Sequence, residues 1–359
     1  MTSPNTSHPE NLKEPPMPLS PPYDTVLKPY GQALVRYAAS HPEVICLGAD
    51  LTRQTETDLF RDDPRLASRF FNAGMAEQNL IGVAAGLARE GRTVFVNTFG
   101  VFTTRRPFEQ IAMQISYANL GVKLVGLMPG LSSPGGPSHQ AIDDVALMRV
   151  LPNFTVVEVA DASEVSQAVA AVAERPGPVY LRLKRGEIPV IFDEGHRLDL
   201  DLAALVDPDP RRDDADVDTV IFASGMLVAT ALRAAQRLRA AGLVIDVVNV
   251  TTIKPLDAET VRTLSERARS VVTAENHSVI GGLGSAVAEV LAEAGLGRRL
   301  RRVGIPDTFG RAATARFLFA RYGLTAQQIV DTTWQLAGRA EPAPVVTDIE
   351  TSPGAYSPV

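Results

Sequence analysis

Runs that are apolar on both faces alternate along this chain with runs whose apolar positions recur at helical spacing. The first kind comprises VICLGAD (44–50), TVFVNTFG (93–100), VKLVGLM (122–128), FTVVEVA (154–160) and GPVYLRL (177–183). That is the pattern of parallel strands covered by helices on both sides. Between them, Gln78–Glu90, Pro107–Ala118, Asp143–Arg149 and Ala162–Ala173 read as amphipathic helices. The last opens with Asp161-Ala-Ser-Glu164, a capping signal. The alternation then resumes. TVIFASG (219–225), LVIDVVNV (243–250) and SVVTAEN (270–276) are strand-like, and 227–241, 257–268 and 283–294 are helix-like. Strand–helix alternation in both halves predicts two doubly wound α/β domains with mostly parallel sheets and right-handed crossovers.

Three stretches break the pattern. Residues 1–22 and 339–359 are proline-rich, carry little apolar surface and read as flexible tails. Residues 199–217 are acidic, contain proline and show no clear periodicity, which predicts a linker. The expected domains are therefore 23–198 and 218–338.

Composition narrows the setting. The 359 residues are 45% hydrophobic and 21% charged, an ordinary globular mix that excludes wholesale disorder. The longest apolar run, Leu80–Ala88, is far shorter than the roughly 20 residues of a membrane span. The N-terminal stretch has neither the basic start nor the apolar core of a secretory signal, so a cytoplasmic location is expected. One cysteine, Cys46, excludes an internal disulfide and a cysteine-built zinc site. A net charge of −6 argues against general nucleic-acid binding.

Ligands of open α/β sheets sit beyond the C-terminal ends of the strands, and three clusters fall there. In FFNAGMAEQN (70–79), Glu77 stands between a short strand and an apolar helix. A carboxyl at such a mouth is partly desolvated, a setting suited to holding a proton. A glutamate in the first turn of a helix is also simply favoured there. In NTFGVF (97–102), Phe99 and Phe102 could stack on a flat heterocycle or could be core. In SSPGGPSHQ (132–140), a tight loop presents His139, placed either for proton transfer and hydrogen bonding or as a surface histidine at a helix start.

Longer strings carry a resemblance. GMAEQNLIGVAAGLAREG, TVFVNTFGVFTTRRPFEQ and GPSHQAIDDVALMRVLPNFTVVEVAD are very similar to the pyrimidine-binding domain of transketolases. IKPLD (253–257), TAENHSVIGGLGSAVAE (273–289) and GIPDTFG (304–310) resemble the C-terminal domain of the same family. The resemblance implies thiamine diphosphate as cofactor, with Glu77 bonded to the aminopyrimidine nitrogen, Phe99 stacked on that ring and Phe102 lining its pocket. It also implies that His139 contacts donor hydroxyls, Arg185 (in LRLKR) an acceptor phosphate, Lys28 a further phosphate, and that Asp50 lies near the cofactor. The Gly135-Gly136-Pro137-Ser138-His139 string departs from the family, which has an acidic residue where Gly135 stands.

The family's Mg²⁺ ligands come from a Gly-Asp-Gly segment and a downstream asparagine in another domain, and no Gly-Asp-Gly occurs in this chain. The resemblance therefore implies one subunit of a split transketolase. A partner subunit would hold the diphosphate and Mg²⁺, and the two would pair as a heterotetramer acting on small sugars. Gly282-Leu-Gly284 imitates part of a dinucleotide fingerprint but lacks its third glycine, which argues against NAD. The competing readings are the β subunit of a 2-oxo acid dehydrogenase and a non-catalytic scaffold subunit.

Overall fold

The computed structural model describes residues 22–212 and 216–346. In chain order the strands are β1 (Thr25–Leu27), β2 (Val44–Gly48), β3 (Phe70–Asn72), β4 (Thr93–Phe99), β5 (Val122–Leu127), β6 (Thr155–Glu158) and β7 (Val179–Leu183). They continue as β8 (Glu187–Pro189), β9 (Ala204–Asp207), β10 (Val217–Ala223), β11 (Ile245–Asn249), β12 (Thr252–Lys254), β13 (Ala268–Ser278) and β14 (Arg299–Ile305).

A seven-stranded sheet runs in the order β12-β6-β7-β5-β4-β2-β3 and a five-stranded sheet in the order β14-β13-β10-β11-β9. Both are parallel except at one edge, where β12 and β9 run antiparallel. The central strands are buried along their whole length, as VICLG in β2 and VKLVGL in β5 show. The helices cover both faces of each sheet. Glu77–Arg89, for example, buries Leu80, Ile81, Ala84 and Ala85. Asp161 caps the helix Ala162–Glu174 by accepting the Glu164 N–H at 2.8 Å, as its sequence signal predicts. The expected α/β class with mostly parallel sheets is what forms.

Several elements lie outside the sequence expectation. The stretch 199–217 is not a bare linker: β9 joins the edge of the second sheet, while Leu200 is buried in the first core and Val206 in the second. Thr252–Lys254, from the second half, pairs with β6 and becomes the edge of the first sheet. Residues 339–346, expected as tail, fold back on the last helix. Trp334 donates to Glu341 O at 2.8 Å, and Gln327 accepts the Val346 N–H at 2.8 Å. These contacts satisfy an extended proline-rich backbone that composition alone reads as loose. Most of the expected tails, residues 1–21 and 347–359, lies outside the described residues. The expected helix Pro107–Ala118 is α-helical only at Phe108–Gln110 and continues as a π-helix over Ile111–Ser116.

A polar seam joins the two domains. Arg182 on β7 is fully buried and pairs with Asp144 (2.7 Å) and with Glu158. It also donates to Ala141 O (3.1 Å) and to Asn276 O (2.9 Å) across the seam. Ser224 of the second domain donates to the other Glu158 oxygen at 2.8 Å. Burial works against the Asp144 charge, but Arg182 outweighs it and holds that carboxyl below its usual range.

Candidate active site at the edge of the first sheet

Asp50, Glu77, Phe99, Phe102 and Arg185 follow or end strands β2, β3, β4 and β7 at the C-terminal edge of the first sheet, and His139 stands against Phe102. Glu77 is the first residue of its helix, separated from β3 by the four-residue loop 73–76, and is buried. Its Oε1 accepts a hydrogen bond from Arg106 Nη1 at 2.7 Å. Phe99 ends β4 and leads directly into the short helix Gly100–Thr104, which brings Phe102 round to its side, with ring centroids 5.9 Å apart. Arg106 follows Phe102 by four residues, and its guanidinium lies 4.2 Å from the Phe102 ring centroid. That spacing puts the two side chains on one face, where a cation over an aromatic face is favourable.

His139 approaches the edge of the same Phe102 ring from the opposite loop, 5.2 Å between centroids. It ends a 3₁₀ turn, Pro137–His139, and its Nδ1 lies 2.9 Å from the Ser138 hydroxyl. A Cβ placed on Gly135 would sit 2.9 Å from His139 Cβ and Cγ, so the glycine that replaces the expected acidic residue also leaves room for this imidazole.

Asp50 follows β2 in a left-handed conformation (φ 57°). Asn72 binds it twice, through Nδ2 to its carboxylate (2.6 Å) and from its N–H (3.0 Å), and also accepts from Gly74 N at 3.1 Å. Asn72 thus ties Asp50 to the loop that delivers Glu77. Lys28 (φ 52°) and Arg185 meet through the backbone, since Lys28 N donates to Gly186 O at 2.9 Å. The Lys28 ammonium pairs with Asp58 at 2.6 Å. Buried Glu56 holds this junction, accepting Gly186 N (2.8 Å) and Gly31 N (3.1 Å). Burial pushes its carboxyl above the usual range.

The sequence reading does not single out Arg106, Asn72 or Glu56. The Arg105-Arg106 doublet four residues after Phe102 is the signal that was available for the first. Glu56 acts through backbone amides, and Asn72 through two amides and a carboxylate 22 positions away, contacts that leave no mark in sequence. Among the described residues, no group of three or more His, Cys, Asp and Glu side chains is placed to hold a metal ion.

The edge therefore combines a buried carboxylate, an aromatic pair and a half-buried imidazole, an arrangement able to hold a flat heterocycle beside hydrogen-bonding groups. Comparison with known proteins shows the family. Residues 25–190 match the family model "Transketolase, pyrimidine binding domain", and 211–329 match "Transketolase, C-terminal domain". The chain is 38% identical over 87% of its length to 96% of a putative transketolase C-terminal section from Methanocaldococcus jannaschii. It is 39% identical, over 86% of its length, to 94% of a 6-deoxy-6-sulfo-D-fructose transketolase subunit from Clostridium sp. (strain MSTE9). A solved structure described as "Split gene transketolase, inactive beta4 tetramer" superposes with a TM-score of 0.78 at 41% identity, covering 87% of this chain and 98% of that one. The chain belongs to the transketolase family and carries its pyrimidine-binding and C-terminal domains.

Proposed function

We propose that this chain is the pyrimidine-side subunit of a split transketolase, which moves a two-carbon ketol unit from a ketose or ketose phosphate to an aldose or aldehyde. The observation that carries the reading is the grouping of Glu77, Phe99, Phe102 and His139 at one sheet edge. A buried carboxylate beside an aromatic pair suits the aminopyrimidine end of thiamine diphosphate: one hydrogen-bonding group at the rim and flat apolar walls. When bound, that cofactor supplies a nucleophilic carbon and an electron sink.

The chain's own residues then have distinct tasks. Glu77 presents its carboxyl to the pyrimidine nitrogen, and Phe99 and Phe102 wall the ring off from water. His139 hydrogen-bonds the hydroxyls of the donor, while Arg185 and Lys28 bind the phosphate end of a substrate. Asp50, fixed by Asn72, stands at the cofactor side of the same edge. Glycine at position 135 removes a carboxylate from the donor pocket and favours a donor other than the usual pentose phosphates.

The diphosphate of thiamine diphosphate also needs Mg²⁺, and the metal needs hard oxygen ligands from protein. We assign both to a partner subunit with the Gly-Asp-Gly domain, the two chains forming a cytoplasmic heterotetramer. The surface beside Glu77 supports this reading. Phe71, Met75 and Val83 are exposed on the loop and helix around it, and Met113 and Tyr117 are exposed on the helix packed alongside. Uncovered apolar groups in such number suit a subunit contact. The related β4 tetramer, described as inactive, fits a chain that lacks half of its site.

The test is to co-purify the full chain with its stoichiometric partner and titrate thiamine diphosphate with Mg²⁺ into each subunit and into the pair. Tight binding and ketol transfer are expected only in the pair. A partner joined to a lipoyl-domain assembly would replace the reading with the 2-oxo acid dehydrogenase. A pair that binds no cofactor would leave a scaffold.

A further inference from the structure

The loop that carries His139 runs from Gly130 to Ala141 and belongs to the first domain, yet its outgoing root is held by the second. Asn276, at the end of β13 and fully buried, reaches across the seam. Its Oδ1 accepts the Leu131 N–H at 3.0 Å and its Nδ2 donates to Pro129 O at 3.0 Å. Both bonds fall on the outgoing root of the loop. The returning root is held by Arg182, whose Nη2 donates to Ala141 O at 3.1 Å and to Asn276 O at 2.9 Å. The two roots also bond each other, Gly130 N to Ala141 O at 3.0 Å.

Gly130 shows how tight this contact is. Its φ is +50°, and a Cβ there would fall 2.1 Å from Asn276 O and 2.2 Å from Asn276 Oδ1. Further out, Gln140 Nε2 donates to Arg311 O of the second domain at 3.0 Å and to Ser133 O at 3.1 Å. Gly135 bridges to Ala312.

We propose that Asn276 is a positioning residue for His139: by pinning the root of the loop from the neighbouring domain, it fixes the register in which the imidazole meets the donor substrate. This rests on the donor-binding assignment of His139 made above. Two neutral hydrogen bonds to backbone are a general means of fixing a loop whose own side chains are small. A site set about 1 Å out of register can lose on the order of 10²-fold in rate. The second domain thus takes part in the geometry of the site through the loop it anchors.

The first measurement is amide hydrogen exchange on the full-length chain by itself, comparing wild type, Asn276→Ala, Asn276→Ser, Gly130→Ala and Ser224→Ala. Ser224 bonds Glu158 in the same seam but does not touch the loop, so it controls for damage to the seam alone. Faster exchange of the 131–139 amides is expected in the Asn276 and Gly130 variants and not in Ser224→Ala. The serine variant, whose short hydroxyl cannot span both contacts, serves where alanine prevents folding.

The second measurement is kcat and KM in the pair with the diphosphate-binding partner, with hydroxypyruvate as donor. kcat/KM is expected to fall roughly 10- to 100-fold in the Asn276 and Gly130 variants. The double variant should be no worse than either single, since both break one contact. Ser224→Ala should lower the melting temperature and keep wild-type kinetics. Variants that only melt earlier, with unchanged loop exchange and unchanged kcat/KM, would overturn the proposal. A wild-type pair without ketol transfer would strike the functional reading instead, and loop exchange would still decide the anchoring.

Discussion

At the C-terminal edge of the first sheet the backbone is strained at several positions and part of the polar side chains, Asp50 and His139 among them, reaches solvent, whereas at the same edge of the second sheet Glu275 and His277 turn inward and are consumed. All six non-glycine residues with positive φ among the described residues precede residue 154, and three of them, Lys28, Asp50 and Glu56, belong to the candidate site or hold it. Strain of this kind costs of order 1–3 kcal/mol per residue and persists only where surrounding contacts impose it. At the end of β13, by contrast, Glu275 spends both carboxylate oxygens on the N-terminus of the helix Leu283–Glu293, accepting Leu283 N at 2.7 Å and Gly284 N at 2.9 Å. Those are the amides a bound phosphate would need, which gives a physical reason to set aside the dinucleotide imitation at Gly282-Leu-Gly284. His277, also buried there, has Nδ1 2.8 Å from Ser278 O and accepts from Ala146 N at 3.4 Å. Two sheets of like topology thus differ in what their ends are used for, and topology by itself does not make a site.

The sharpest way to break this contrast is to disarm the first edge. Glu77→Gln keeps the shape and removes the charge that Arg106 pairs with. In the reconstituted pair kcat is expected to fall about 10²- to 10⁴-fold. Stability should change by less than about 1 kcal/mol, because Arg106 is half exposed and such pairs contribute little. Steady-state turnover and a denaturant titration check the two halves. Turnover within a few-fold of wild type would remove Glu77 from the chemistry.

The seam should respond in the opposite sense, through stability first. Arg182→Leu strands Asp144 and Glu158 without their cation in a buried environment. Breaking such a pair costs about 3–5 kcal/mol, so the chemical denaturation midpoint of the full chain should drop accordingly. A loss under about 1 kcal/mol would show that the seam is hydrated and does not bind the two domains together.

How much of this was readable beforehand depends on the kind of signal. The doubly apolar runs located the central strands because burial on both faces leaves no polar period to mistake. Asp161 was legible because a cap acts over three residues. Glu77, Phe99, Phe102 and His139 were found through long strings, and the structure brings them to one edge. Short edge strands were missed: ALVD in β9 and TIK in β12 are too brief to show a period, and only pairing with a distant strand defines them. Arg182 looked like an ordinary strand residue because its partners lie 24, 38 and 94 positions away. Asn276 and Glu56 bond backbone, and no side-chain pattern records that.

A pH profile sharpens the contrast further. Burial pushes the Glu275 carboxyl from 4.5 up to about 7, against the pull of the two amides it accepts. The folded state therefore keeps a proton that the unfolded chain releases above pH 4.5. Stability from this group is full below that value and is lost as pH rises toward 7. Relative to Glu275→Gln, the chain that keeps Glu275 should weaken by about 3 kcal/mol between pH 4.5 and 8. His277, whose imidazole burial pushes down, works in the other direction below pH 6.5, and its Nδ1 lies 3.8 Å from Glu275 Oε2, so the comparison is made in a His277→Asn background. Parallel melting curves for the two proteins across this range would reveal a buried, inward-spent carboxyl at the second edge. Denser charge repulsion elsewhere cannot mimic the difference.

The smallest expected effect tests the strain itself. Asp50 holds φ 57° on an exposed loop and is kept there by Asn72. Glycine adopts that conformation without steric cost, so Asp50→Gly relieves the backbone while losing an exposed hydrogen bond. The net change in stability should be near zero or stabilising by up to about 1 kcal/mol. Cofactor affinity in the reconstituted pair should fall in the same variant, because Asn72 Nδ2 loses the Asp50 carboxylate and the Glu77 loop is less fixed. Calorimetric titration of thiamine diphosphate reads the second quantity and thermal melting the first. A gain in stability with weaker cofactor binding is the signature of strain retained for function. A loss of stability with unchanged binding would mean that Asp50 is held in the left-handed region by the loop alone, and that the contrast between the two edges rests on the side chains.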